Sequence, residues 1–493
     1  MKAALKHLIR AGESHAGEPR ADAPRAGERR APAEPLQPED SRRAFLKKAG
    51  LGGLSMAALV HVPIEDQVGY LSQRVNRHSA PSDLRITDMR IAQVGNVPIV
   101  RIYTNQGLMG HGDVRDQADG RYALFLKSRI LGENPCNVEM LFRRLKQFGG
   151  QARQAGGVCA VEMALWDLAG KAYNVPVYQL LGGKYRDRVR LYVDTPMVRT
   201  PEAFAERMRG RIEKGYTFLK MDFGIDMIKD EPNTIVGKNL WDPSLRQWEG
   251  APGSYGMTRH PFTRIQISDK GLARLTDFLA AVREQVGFEV PLASDHYGHF
   301  DVNDAIRLGR AVEPYRLAWL EDMVPWDYTE MWKEISLAIE TPTITGEDIY
   351  LLDYFKPLID ARAVDLVHPD PNSAGGILET KRIGDYAEEH GVAQAVHHAA
   401  SPVSFLGSVH SAAATNNFIA LEHHSVDNPW WDDLVTGIEK PIVQNGFVKV
   451  PDTPGLGVEL NDEAVREHLR QGTEFFAPTP EWDAPRSWDR IWS

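Results

Sequence analysis

The sequence is poor in several things, and each shortage removes a class of protein. Only two cysteines, Cys136 and Cys159, occur in 493 residues, and they have no metal-ligand spacing. A disulfide framework is excluded as the organising device. Lysine and arginine number 57 against 67 aspartates and glutamates, a net charge of −10. Without a basic surplus, nothing marks the chain for nucleic acid or for an anionic membrane surface. An anionic substrate would need local positive charge, such as a metal ion. What is present is an ordinary globular balance: 43% hydrophobic, 25% charged, 9% aromatic. That is ample for a large core and more than one domain.

Residues 1–40 are rich in Ala, Arg, Glu and Pro and have few large apolar side chains, so they cannot bury enough surface to fold. Arg42-Arg43, with Phe45 and Leu46 just after, then precedes a mild apolar run, Ala49–Val62. This layout resembles a twin-arginine export signal. The run is too short and too glycine-rich for a membrane span. The expectation for residues 1–83 is a disordered tail with an export signal and a periplasmic destination, the alternative being a cytoplasmic protein.

The informative feature of the second half is a period. Six short apolar runs each lead to an ionisable residue: Asp295, Glu321, Glu347, Asp370, His397 and Glu422. The steps between them are 26, 26, 23, 27 and 25 residues. Helix-like segments such as 301–312, 327–339 and 376–390 lie between. A strand, a loop, a helix and a return loop need about that length, so the pattern predicts βαβ units. Continuous apolar runs suit fully buried parallel strands. The regularity predicts a closed (β/α) barrel whose strand ends converge on one face. Two earlier runs complete the count, one ending at Asp194 and one leading to Lys220-Met221-Asp222. A long polar insertion between Phe223 and Lys270 reads as a lid or substrate loop.

Asp295, Glu321 and Glu347 fall on three successive strand ends. Three carboxylates brought together repel unless a cation lies between them. All-oxygen ligation suits Mg²⁺, with Mn²⁺ as the alternative. The bland reading is that each carboxylate caps a helix or pairs with a lysine. Asp370 beside His397 would fix the imidazole tautomer and make it a general base, with His398 as the adjacent competitor. A cation on a substrate carboxylate and a base at the α-carbon suit proton abstraction, followed by loss of a β-hydroxyl.

The run Val161-Glu162-Met163-Ala164-Leu165-Trp166-Asp167-Leu168-Ala169-Gly170-Lys171, then Val175-Pro176-Val177-Tyr178-Gln179-Leu180-Leu181-Gly182-Gly183, is similar to the cap–barrel junction of the mandelate racemase-like branch of the enolase superfamily. Leu320-Glu321-Asp322, Thr345-Gly346-Glu347, His368-Pro369-Asp370, Ala374-Gly375-Gly376-Ile377 and Pro454-Gly455-Leu456-Gly457-Val458 resemble its other motifs. The resemblance covers about 84–460. It implies an α+β cap at 84–185, a modified (β/α)7β TIM-like barrel at 186–435, and a segment at 436–493 returning to the cap. It also implies Mg²⁺ on Asp295, Glu321 and Glu347, the His397–Asp370 dyad as base, and Glu422 as a substrate-binding or intermediate-stabilising residue.

Racemases of this branch carry a Lys-x-Lys pattern after the second strand. Here it is Lys220-Met221-Asp222, so a second base on the opposite face is missing. Acid-sugar dehydratases of the galactonate and mannonate types also lack it, and place a histidine two residues after the first metal ligand. That slot holds Tyr297 here, a proton donor or a substrate-orienting residue. His299 and Lys220 are alternative acids, and Tyr255 is a candidate in the long loop. Asp222, His299 and His398 are further candidates for substrate binding. The expectation is a Mg²⁺-dependent homo-oligomeric dehydratase that converts an aldonate or aldarate to a 2-keto-3-deoxy acid. An epimerase or cycloisomerase is the alternative within the fold, and a sugar-acid-binding protein the alternative outside catalysis.

Overall fold

A computed structural model describes residues 81–236, 266–295 and 300–485. The Arg42-Arg43 segment, Tyr255, Tyr297 and His299 lie outside the described residues.

Strands β1 (Ile86–Val94), β2 (Val97–Thr104) and β3 (Met109–Asp113) form an antiparallel meander. The helix Gly156–Tyr173 packs so closely on it that a Cβ added to Gly112 would sit 2.1 Å from the Ala160 carbonyl oxygen. This helix is apolar nearly all round because it is covered on both sides. Residues of the C-terminal return lie against the same sheet: Arg90 donates to the Phe476 carbonyl, and Arg101 pairs with Asp462.

The barrel begins with β4 (Arg188–Val193) and β5 (Leu219–Asp222). A short antiparallel pair, β6 (Ile235–Val236) and β7 (Gln266–Ile267), brackets the long insertion. Then follow β8 (Leu292–Asp295), β9 (Leu320–Glu321), β10 (Thr343–Thr345), β11 (Leu366–Val367), β12 (Ala393–Val396) and β13 (Phe418–His423). Among the described residues β4, β5 and β8 to β13 are parallel, and β13 pairs back onto β4, with Leu421 opposite Leu191. The barrel is closed. The helices Pro201–Glu213, Asp269–Val286, Val302–Val312, Thr329–Ala338, Leu352–Asp360, Ile377–Glu389 and Pro402–Ala413 fill the seven steps between strands. A 3-10 turn, Asp432–Leu434, follows β13 instead of a helix. Among the described residues no helix is long and apolar enough to cross a membrane.

Side chains alternate along a strand, and a barrel interior fills in tiers. Tyr192, Phe218, Ala293, Trp319, Ile344, Leu366, Ala395 and Ala420 form a separate buried cluster, the barrel's floor. Two residues further along seven of these strands stand Asp194, Lys220, Asp295, Glu321, His368, His397 and Glu422, all buried. This tier corrects two expectations: on β10 alternation from Ile344 reaches Gly346, so Glu347 stands just beyond the tier. The sequence period assigned the ring slot of β11 to Asp370, but alternation from Leu366 puts His368 there and Asp370 one tier higher.

Strand-end carboxylates do not cap the barrel helices whose first turns carry a side-chain cap. Thr200, Ser268, Asp301 and Ser401 do so, each accepting from a backbone amide two or three residues on. The acids at the strand ends are left for other work.

Candidate active site

Lys220 stands at the centre of the ring. Its ammonium lies 2.8 Å from Asp295 Oδ2, 3.4 Å from Glu321 Oε1 and 2.8 Å from Glu422 Oε1. Burial alone would lower its pKa, but those three carboxylates override burial and hold it well above the ordinary value. One lysine thus faces three acids, so the bland pairing reading holds for Lys220 without balancing the cluster. Glu321 also accepts from Trp319 Nε1 at 3.1 Å and lies 3.0 Å from His368 Nδ1.

Asp322 reports on the crowding. Burial pushes its carboxyl well above the usual range, and the charges of Glu347, Asp295 and Glu321 push it further. Asp295 and Glu321 share the Lys220 ammonium, whereas Glu347 lies against His397 and Arg115, so the three acids expected to hold a cation line the same ring but are each engaged by a cationic or imidazole partner. Their oxygens are hard donors of the kind Mg²⁺ takes, so the donor chemistry of the three acids fits that ion.

His397 sits between two acids. Its Nδ1 is 2.7 Å from Asp370 Oδ2, and its Nε2 is 2.8 Å from Glu347 Oε2 and 3.5 Å from Glu422 Oε2. Burial would lower its pKa. Glu347 first, then Glu422, hold it well above the ordinary histidine value. Asp370 is buried, yet Arg115 and His397 hold its carboxyl down at about 2. With Nδ1 tied to Asp370, Nε2 is the nitrogen that faces the ring.

Arg115 was not found from the sequence. It follows β3 and enters the site from the meander, 2% exposed. Its guanidinium pairs with Asp370, lies 3.5 Å from Glu347 Oε1, and stands 3.0 Å from His397 Nδ1. No period could have revealed it, because it is not on the barrel.

His398 is held differently from its neighbour. Its Nε2 is 2.9 Å from Ser404 Oγ, and Ser404 Oγ donates to Asp113 Oδ2 at 2.7 Å. Burial pushes its pKa down to about 3, so it is neutral. These contacts tie it to the link between β3 and the helix Pro402–Ala413 and do not join it to the acid ring. Asp222 stands one tier above Lys220, and its charge acts on Asp194. His424, also not singled out from the sequence, stands one tier above Glu422. Asp194, Glu422 and His424 each offer a ligand atom within 4.8 Å of the others.

The junction motif has a structural account. Glu162 accepts from the amides of Ile377 and Leu378 at 2.8 and 3.1 Å and from Trp166 Nε1 at 2.7 Å. It caps a barrel helix from the other domain. Burial pushes its carboxyl up to about 8. Gly376 has φ +97°, and a Cβ there would lie 2.0 Å from Glu162 Oε2, so only glycine fits.

Comparisons with known proteins agree with this geometry. Residues 203–464 match the family described as enolase C-terminal domain-like, and residues 68–182 match the mandelate racemase / muconate lactonizing enzyme N-terminal domain. A D-xylonate dehydratase of Haloferax volcanii is 34% identical over 414 residues, covering 81% of this chain and 93% of that protein. A D-galactonate dehydratase family member of Pantoea ananatis is 29% identical, covering 80% and 94%. A crystal structure of a mandelate racemase/muconate lactonizing enzyme-like protein from Rubrobacter xylanophilus superposes with a TM-score of 0.69 at 33% identity, covering 80% of this chain and all of that one.

Proposed function

The chain belongs to the mandelate racemase / muconate lactonizing enzyme family of the enolase superfamily, as an enzyme of its dehydratase branch, and on that premise we propose that it converts a sugar acid to a 2-keto-3-deoxy acid with Mg²⁺. The observation that carries the reading is His397, held at Nδ1 by Asp370 and aimed by Nε2 into a ring of carboxylates.

Asp295, Glu321 and Glu347 are the residues that would hold Mg²⁺. When bound, that ion supplies positive charge against the negative charge a substrate carboxylate gains on losing its α-proton. His397 Nε2, in the unprotonated imidazole, takes the α-proton. Asp370 and Arg115 fix the imidazole's orientation, so little is lost in aligning it. Glu422 accepts from Tyr192 Oη at 2.9 Å, which holds it rigidly beside Lys220. Lys220 is engaged by three carboxylates and Asp222 replaces a second lysine, so elimination from one face is favoured over racemisation. Tyr297 is our assignment for the proton donor to the leaving hydroxyl.

The test is a sugar-acid library assayed for keto-deoxy product in D₂O. The expected product carries solvent deuterium at C3, and recovered substrate shows little inversion at C2. Substrate returned epimerised at C2 without keto product would replace this reading with an epimerase. We also propose export through Arg42-Arg43. A reporter fused after residue 80 should reach the periplasm, and Arg42→Lys with Arg43→Lys should stop it.

A further inference from the structure

Resting on the dehydratase reading, we infer that Asp194, Asp222 and His424 form an acceptor subsite for hydroxyl groups on the substrate's tail, the part remote from its carboxylate. Asp194 is the ring residue of β4, and its side chain is fully enclosed. Neither of its carboxylate oxygens accepts a hydrogen bond from the described residues. His424 Nε2 approaches Oδ2 to 3.2 Å. The hydroxyl of the next residue, Thr195, is likewise buried without a hydrogen-bond partner. Enclosed acceptors without donors are costly unless a ligand brings the donors.

The surrounding charge says which ligand fits. Burial, then the charge of Asp222, push the Asp194 carboxyl well above the usual range, and Glu422 and Asp295 act in the same sense. Lys220 opposes them but is already bound to Glu422, Asp295 and Glu321. Arg211 is close, but its Nε donates to the Asp194 main-chain carbonyl at 3.0 Å and its Nη2 to Asp427 at 2.8 Å. Burial lowers the pKa of His424, which favours the neutral imidazole. Among the described residues the groups facing this corner are therefore chiefly carboxyls and a neutral imidazole. A neutral hydroxyl can exchange hydrogen bonds with them, whereas a second carboxylate would meet the charges of Asp222 and Glu422.

Position agrees with chemistry. The subsite adjoins Glu422, which touches both Lys220 and His397, so it is one side chain away from the reacting centre. His424 is 41% exposed and also lines a cavity of about 140 Å³ with Asn96, Asn428 and Trp430. The amides add adaptable polar groups and the indole an apolar wall. The subsite thus accepts a neutral polyhydroxylated tail and rejects a diacid, selecting aldonates over aldarates.

The test uses the intact enzyme with five- and six-carbon aldonates and an aldarate of matching configuration. Turnover is followed, and binding is measured by calorimetry. Aldonates should be preferred in kcat/KM by about 100-fold or more, because a charged group left against like charge is strongly disfavoured. Asp194→Asn and the half-exposed His424→Gln should each raise the aldonate KM about 10- to 100-fold, the scale of leaving a buried polar group unpaired, with a smaller change in kcat. Asp222→Asn, which removes a charge, should narrow the gap to the aldarate.

Equal turnover of both acids overturns the subsite and leaves the dehydratase reading standing. If neither acid is turned over, calorimetry decides. Aldonate binding weakened by both substitutions upholds the subsite while the reaction assignment fails, and binding of neither acid overturns both. If Asp194→Asn costs the enzyme one bound divalent ion and leaves sugar preference unchanged, the corner is a cation site and the inference is overturned.

Discussion

Two histidine–carboxylate pairs face the same barrel mouth and are built to opposite plans. His397 is 4% exposed, and its partner Asp370 is gripped by a guanidinium delivered from outside the barrel. His424 is 41% exposed, and its partner Asp194 receives no hydrogen bond from the described residues. The first pair has its polar atoms satisfied before any substrate arrives, which suits a group that must move a proton in one fixed direction. The second has acceptors to spare, which suits a group that reads a ligand. A histidine beside an acid is therefore not a function in itself. What the acid's other oxygens are doing decides it.

The largest expected effect separates the two pairs by metal. EDTA should abolish turnover and Mg²⁺ restore it. In calorimetry Glu321→Gln should lose Mg²⁺ affinity, whereas Asp194→Asn should keep it. Full activity in a metal-stripped sample would end the assignment of Asp295, Glu321 and Glu347.

The next effect sets one imidazole against the other. His397→Asn should lower kcat by about 10²–10⁴-fold, the usual range for a general base, with fold and Mg²⁺ binding intact. His424→Asn should act mainly on KM. Comparable losses of kcat at both positions would erase the distinction drawn here.

A third experiment loosens the rigid pair. Arg115→Met should leave Asp370 enclosed without its guanidinium and lower kcat about 10- to 100-fold, as removal of groups that orient a reactive side chain commonly does. Denaturant unfolding should show a loss of about 3–5 kcal/mol, the scale for breaking a buried ion pair. Arg115→Lys should recover part of kcat. A wild-type kcat in Arg115→Met would mean that the barrel alone positions His397.

The smallest effect is expected at His398. His398→Asn should leave kcat near wild type and lower stability by about 1–3 kcal/mol, through the lost bond to Ser404. A large kcat defect with an unchanged melting temperature would move His398 into the reacting centre.

The barrel was legible because its period is long and regular, and because parallel strands buried on both faces are short apolar runs. The acids on β8, β9 and after β10 were legible for the same reason. Phase was harder. Counting to the chemically attractive Asp370 overran the ring by two residues, whereas pairing each inward apolar residue with the one two positions on, as in Trp319 and Glu321 or Ala395 and His397, would have pointed to His368. The same pairing extended one tier higher would have reached His424, two beyond Glu422. Arg115 had no comparable signal. It lies 255 residues before Asp370, and only the closure of one domain on the other brings them together.

The junction helix Gly156–Tyr173 has a further consequence, for the order in which the chain can be completed. Glu162 accepts from Ile377, 215 residues later, and Asp167 Oδ1 accepts from the Leu456 amide at 2.9 Å, 289 residues later. Closing loops of that length is slow and brings no return until both ends meet. While the ribosome is still making the barrel's second half, the early domain carries two buried acids that lack part of their partners: Glu162 has Trp166 but not the Ile377 amide, and Asp167 has His111 and Lys171 but not the Leu456 amide. The N-terminal third is thus not a module that can be cut out and expressed alone, and a chain stopped before Gly455 leaves Asp167 facing an unfilled gap. Emergence of the segment that carries Leu456 is the event that seals the domain made first.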